Sequence, residues 1–203
     1  MDLLIPRRCA GCGDYGQILC SSCRYHLRSP PQRVFTQVDT HVPLWSLGPY
    51  SGVHRQVVLS MKERNHFPIR RLLGPVVSAA VEFLQVRGEL GERIDAPVLV
   101  PAPTLAVSAR LRGGDPVTDL CVASGLPVVS ALRHRRGVRD QVGLDPTQRR
   151  RNLAGKVELL AVPREPVLLV DDVVTTGSTL AASAEVLIAA GCRVVGAVVL
   201  AHA

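Results

Sequence analysis

A short apolar run from Val167 to Val170 meets two adjacent acids, Asp171 and Asp172, and two valines later comes the string Thr175, Thr176, Gly177, Ser178, Thr179. A helical stretch with Leu180, Ala184, Leu187 and Ile188 on one face follows at 178–190 and stops at Gly191. A buried strand, a loop of small residues and a helix in that order fit one architecture best, an α/β layer with the loop at the carboxyl edge of a parallel sheet. We expect the strand to end at Val170. Free backbone N–H groups at the helix start, with the helix dipole, favour an anion. The hydroxyls of Thr175, Thr176, Ser178 and Thr179 add donors, which makes the loop a phosphate cradle. Asp171 and Asp172 can accept hydrogen bonds from vicinal hydroxyls and help hold a divalent cation. Sugar hydroxyls beside a phosphate point to ribose 5-phosphate. A helix cap alone would explain one hydroxyl, not five small residues after an acid pair. A P-loop would end in Gly-Lys-Ser/Thr, and a dinucleotide fold would carry Gly-x-Gly-x-x-Gly; neither is present.

The rest of the second half supports a parallel sheet. Strands are expected at 98–100, 127–132, 157–162 and 193–200, with a helix at 116–124. Ahead of them, 53–64 reads as a helix with Val53, Val57, Leu59 and Met61 among its apolar positions. A second helix runs from about Ile69 to Arg87, with Pro75 as a first-turn or kink residue. Aromatics make up only 3% of the 203 residues, so the core must be aliphatic. No apolar run reaches the ~18–20 residues a membrane span requires. The N-terminus has no adequate apolar stretch for a secretory signal. The expectation is a cytoplasmic protein.

Four of the six cysteines, Cys9, Cys12, Cys20 and Cys23, form two Cys-x2-Cys pairs. That spacing supplies the four ligands of a closed tetrahedral Zn2+ site. Soft ligands leave an iron–sulfur cluster as an alternative, and disulfides are disfavoured without a secretory signal. Gly11 and Gly13 ease the turn. Such a segment cannot build its own core and needs the metal to fold. Cys121 and Cys192 read as buried small hydrophobes. The expected organisation is a four-cysteine motif at 1–30, a linker or hood segment at 31–50 and the α/β domain at 51–203.

The segment around Asp171 resembles the phosphoribosyl pyrophosphate (PRPP) signature of type I phosphoribosyltransferases. In that family the acids bind the ribose hydroxyls and the following loop binds the 5-phosphate. The cysteine quartet resembles that of the ComF/GntX-like family, bacterial relatives linked in some species to DNA uptake. Tyr50, Ser51 and Gly52, followed by Lys62, resemble the family's second block. Val100 to Leu105 resembles its strand-end segment, which implies a pyrophosphate loop at Pro101, Ala102, Pro103 and Thr104. Gln141 and Arg149 to Asn152 resemble a stretch that becomes a mobile catalytic loop. The family's Arg-Gly-Phe-Asn is replaced here by Arg112, Gly113, Gly114 and Asp115.

The resemblance implies a type I phosphoribosyltransferase-like fold, with helices on both faces of the sheet. It also implies PRPP with Mg2+ as the bound species, transfer to a nitrogenous base, and Lys62, Arg112 and Arg149 as further contacts. Seven arginines crowd 133–151, opposed only by Asp140 and Asp145. They read as a solvated basic loop, as a lid closing over pyrophosphate, or as a groove for nucleic-acid phosphates. With a net charge of +7, the rival function is a PRPP- or nucleotide-sensing protein that binds DNA or a competence partner. Salt-dependent DNA binding would separate the two.

Overall fold

The computed structural model describes residues 7–63, 67–91, 97–104, 114–135 and 157–203. Five strands form the main sheet: β1 (Gln32–Arg33), β2 (Leu44–Ser46), β3 (Val98–Pro101), β6 (Val167–Val174) and β7 (Val194–His202). Their order is β1-β2-β7-β6-β3, and all are parallel except β1, which runs antiparallel to β2. The central strands are buried on both faces, which is why they read as continuous Val and Leu rather than as an alternation.

Each face has its own core. On one, α2 (Gly52–Lys62), α3 (Phe67–Val86) and α4 (Pro116–Ala123) cover Leu99, Leu168, Val170 and Val198, with the short α1 (Ser21–Leu27) against α2. On the other, α5 (Ser178–Ala189) covers Val100, Val167, Leu169 and Val199. The long helix α3 holds Ile69, Leu73, Val77, Val81 and Leu84 in one buried stripe. Gly74 lies against the backbone of Ala123, so α3 and α4 pack where a side chain could not fit. Among the described residues no helix is long and apolar enough to cross a membrane.

Several expectations shift. Residues 31–50 do not form a mere linker: Pro43 O accepts from Ala197 N–H, and β2 pairs with β7 in register Leu44–Ala197. Trp45 sits on Gly196, whose missing side chain leaves room for the indole. Along 127–132 only one bridge forms, Val128 to Leu99 at the outer side of β3. The strand itself comes later, as β4 (Leu132–His134), antiparallel to β5 (Val157–Leu159) in a separate two-stranded ribbon. β5 is shorter than the apolar run implied, and Leu160 and Val162 beyond it are exposed.

In α2 it is Val58, not Leu59, that is fully buried beside Val57 and Met61. Pro75 is interior to α3, eight residues after its first residue, and exposed. On α5, Ile188 is 46% exposed, and Ala181 and Ser183 occupy the buried face instead.

Candidate functional site

The strand β6 does not stop before the acids. It continues through them, because Asp171, Val173 and Val174 pair with Val199, Ala201 and His202 of β7. Asp171 and Asp172 therefore point to opposite faces of the sheet, as successive strand residues must. Asp172 follows the parity of Leu168 and Val170 and faces α2, where its Oδ2 lies 2.9 Å from Lys62 Nζ. Lys62, one of the cationic residues implied by the resemblance, is thus brought to the acid pair. Asp172 is 8% exposed, so this ion pair is shielded from solvent.

Asp171 accepts a hydrogen bond from Asp172 N–H at 2.7 Å. Burial first, and the neighbouring Asp172 carboxylate second, push its carboxyl up to about 8. A raised acid pKa means that the protonated form is favoured by folding. The associated stability is complete below the unfolded value of 3.8 and is lost as pH rises towards about 8. Asp171→Asn, which mimics the protonated form, should gain stability relative to wild type as pH rises from 5 to 8. At about 1.4 kcal/mol per pH unit, discounted for the water that Asp171 still reaches, we expect a gain of ~2 kcal/mol. Denaturant midpoints of ligand-free protein at both pH values check this; a gap that does not widen refutes the shift.

After β6 the chain turns through exposed Thr175 and Thr176 to Gly177, which adopts φ 85° and stands at the N-cap of α5. No side chain caps this helix. Thr176 Oγ1 and Ser178 Oγ are 2.8 Å apart, and Ser178 N–H donates to Thr176 Oγ1 at 3.4 Å. Among the described residues, no protein acceptor meets the N–H groups of Thr176, Gly177 and Thr179. Asp171 and the loop from Thr175 to Leu180 line a small open cleft. The first helical turn carries no acid to oppose an anion.

The segment that backs this loop carries no motif that marks it in the sequence. Val38 N–H donates to Thr176 O at 2.9 Å, and Thr36 Oγ1 donates to Val38 O at 2.7 Å. Gly177 packs directly on Thr36. These contacts tie the 31–50 segment to the Thr175–Thr179 loop.

Of the strand-end residues, Pro101 closes β3 opposite Val170. Ala102 N–H is already committed to Val170 O at 2.7 Å, and Pro101 and Pro103 have no N–H. Among the described residues, Thr104 alone of these four positions has an amide that meets no protein acceptor. Its hydroxyl donates to Asp115 Oδ1 at 2.9 Å. Asp115 also accepts from Val117 N–H and from the Thr118 hydroxyl, capping α4 just ahead of Pro116. The departure at Gly114 and Asp115 thus supplies a helix cap that tethers the end of β3. An Asp before a Pro and a helix is a readable cap signal, and it was available in the sequence.

Arg112, Arg149 and the stretch from Gln141 to Asn152 lie outside the described residues. Arg133, at the start of the arginine-rich stretch, forms a two-pronged pair with Glu158 at 3.0 Å on the neighbouring strand. Glu158 lies beyond the arginine run in sequence, so it joins Asp140 and Asp145 as an opposing acid only through the pairing of β4 with β5.

The four N-terminal cysteines come together, with their Sγ atoms all within 4.8 Å of one another. Cys12 and Cys20 are 3.8 Å apart, which matches the edge of a tetrahedron built from Zn–S bonds of about 2.3 Å and is far beyond a disulfide. Cys20 N–H donates to Cys9 Sγ and Cys23 N–H to Cys20 Sγ. Burial opposes ionisation of Cys9, but the backbone N–H groups of Cys20, Cys12 and Gly11 outweigh it and hold this thiol down at about 6. Burial, with its cysteine neighbours, pushes Cys23 up. Four sulfurs this close cannot all ionise without a cation between them, and their geometry fits a metal ion such as zinc. Gly13 takes φ 83° in the turn, whereas Gly11 provides space: a side chain there would meet Cys23 Sγ at 2.6 Å. Cys121 and Cys192 are buried away from this cluster, as expected.

The family model for the phosphoribosyl transferase domain matches residues 133–203. That stretch includes β6, the loop, α5 and β7. None of the curated proteins compared with this chain matches it. Among solved structures, the chain is similar to orotate phosphoribosyltransferase of Mycobacterium tuberculosis, crystallised in complex with Fe(III) dicitrate. Identity is 20% over 87% of this chain and 79% of that one, with a TM-score of 0.38.

Proposed function

We propose that this protein binds PRPP and transfers its ribose 5-phosphate to a nitrogenous-base acceptor. The observation that carries this reading is the placing of the acid pair. Two carboxylates leave an interior parallel strand beside an uncapped helix start whose loop lines an open cleft. The family match over 133–203 lies on the same elements.

In this reading the 5-phosphate takes the amides and hydroxyls of Thr175 to Thr179. Asp171 and Asp172 accept from the ribose hydroxyls, with Asp172 shared between ribose and Lys62. Thr104 offers its amide to the pyrophosphate, and Arg112 and Arg149 add charge. The acceptor nitrogen bonds to C1 as the bond from C1 to the pyrophosphate oxygen breaks. Pyrophosphate leaves with that electron pair, and the nitrogen's proton passes to solvent. Mg2+ held by the pyrophosphate would neutralise charge on the leaving group. The cysteine cluster would hold Zn2+ as a structural ion, since four protein ligands leave no position for substrate. A four-cysteine cluster ahead of such a domain supports placing the chain with the ComF/GntX-like proteins.

The test is calorimetric titration of zinc-loaded protein with PRPP, with and without Mg2+. Each hydrogen bond to a charged group contributes about 1.5–3 kcal/mol. The double variant Asp171→Ala, Asp172→Ala should therefore lose affinity ~100-fold or more. Undiminished binding by that variant would remove the acids from the site.

A second reading has one observation in its favour. Tyr15 and Phe35 are 62% and 89% exposed, with Arg8 and Arg33 at 4.4 Å and 6.0 Å from their ring centres. Exposed aromatics beside arginines suit stacking on single-stranded nucleic acid. The dependence of DNA affinity on salt distinguishes this role.

A further inference from the structure

Among the described residues, two charged side chains are buried, Arg70 at 1% and Asp172 at 8% exposure. They reach consecutive residues in the last turn of α2. Arg70 Nε donates to Met61 O at 3.0 Å, and Asp172 holds Lys62 Nζ at 2.9 Å. Arg70 Nη1 in turn donates to Asp119 Oδ2 of α4 at 2.8 Å. One guanidinium therefore links α2, α3 and α4 behind the acid pair.

We infer that Arg70, anchored by Asp119, is a positioning residue that sets Lys62 against Asp172. The last carbonyls of a helix lack partners within it, and a cation there also complements the helix dipole. Arg70 satisfies one such carbonyl from a rigid fork. The chain leaves helical geometry at Glu63, directly after Lys62. Without an anchor at Met61 this terminal turn is free to fray, and Lys62 is the residue that frays with it. A buried arginine could serve packing alone. Here, however, its acceptor is the backbone adjoining the lysine that meets the acid pair among the described residues, and its counter-ion comes from a third helix. The consequence for ligand binding rests on the reading that Asp172 receives the ribose.

The experiment uses the full chain loaded with zinc. It contains two lysines, Lys62 and Lys156, so amine acylation followed by mass spectrometry reads Lys62 with an internal reference. Without ligand, Asp172→Asn sets the labelling rate of an unpaired Lys62. Asp119→Asn, which keeps the shape of the side chain but removes its charge, should raise Lys62 labelling about three- to tenfold, the range of coupling between contacting residues. It should add nothing in the Asp172→Asn background. Arg70→Lys, which keeps the charge without the fork, should raise it similarly. PRPP affinity should fall by a comparable factor in Asp119→Asn, with no further loss in a Lys62→Met background. Unchanged Lys62 labelling in Asp119→Asn overturns the inference, as does an equal rise in both backgrounds. Failure of wild type to bind PRPP would count against the proposed function and leave the labelling result intact.

Discussion

Replacing Cys23 by serine, or withdrawing metal with a strong chelator, should lower the melting temperature by about 10–20 °C. A structural zinc ion contributes apparent binding energies of ~10–16 kcal/mol in peptides that cannot fold without it. This knuckle is not isolated to that degree. Cys9, Leu19, Cys23 and Leu27 belong to the same buried cluster as Val57, Val58 and Met61 of α2. The surrounding core would retain part of the geometry, so the loss is set at about 5 kcal/mol. For a chain of this size each kcal/mol moves the midpoint by about 2–4 °C. The same cluster sends the damage inward, since the helix under the knuckle ends in Lys62. Loss of the metal should therefore also weaken PRPP binding, although no cysteine lies in the ligand site. Calorimetric melting with and without chelator, and metal analysis of Cys23→Ser, check this. A melt indifferent to both would mean that the four thiols hold no metal.

The parts of this molecule legible in the sequence are those whose physics is local. Val167 to Val170 is apolar at every position, and only a strand buried on both faces needs that pattern. Thr175 to Thr179 announces a tight turn at a helix start. The Cys-x2-Cys pairs impose their own closeness, and their sulfurs do converge. Each signal lies within about a dozen residues and depends little on the rest of the chain.

What was not legible depends on partners far away in sequence. The strand β6 extends past Val170 because β7 supplies partners for Asp171 to Val174; nothing near Asp171 says so. β2 looks irregular beside Pro43 and Pro49, yet Gly196 leaves the space that lets Trp45 lie on β7. Arg70 and Arg71 are neighbours of the same type, and only the packing of α2 and α4 makes one buried and the other exposed. The commitment of Ala102 N–H to Val170 is also a tertiary fact. It removes an amide that a reading of the strand-end segment would assign to pyrophosphate.

Gly177→Ala should reduce PRPP affinity ~100-fold while leaving the fold intact, because two separate costs fall on one residue. The first is conformational. Gly177 has φ 85°, and an L residue in the left-handed region costs about 1–2 kcal/mol. The second is steric. An added Cβ would run into Thr36 Oγ1 and lie 2.9 Å from both Thr36 Cβ and Val38 O, distances at which something must move. The hood segment can lift, breaking the bond from Val38 N–H to Thr176 O, or the loop can tilt and scatter its amides. Either movement spoils a cradle whose donors must converge on one phosphate. The combination is separable. Thr36→Gly removes both side-chain atoms that the new Cβ would meet, without altering φ at residue 177. If steric conflict dominates, Gly177→Ala with Thr36→Gly should recover about tenfold of the lost affinity, in keeping with coupling between contacting residues. If backbone strain dominates, the double variant should bind no better than the single. Wild-type affinity in Gly177→Ala itself would mean that the phosphate does not sit on this loop.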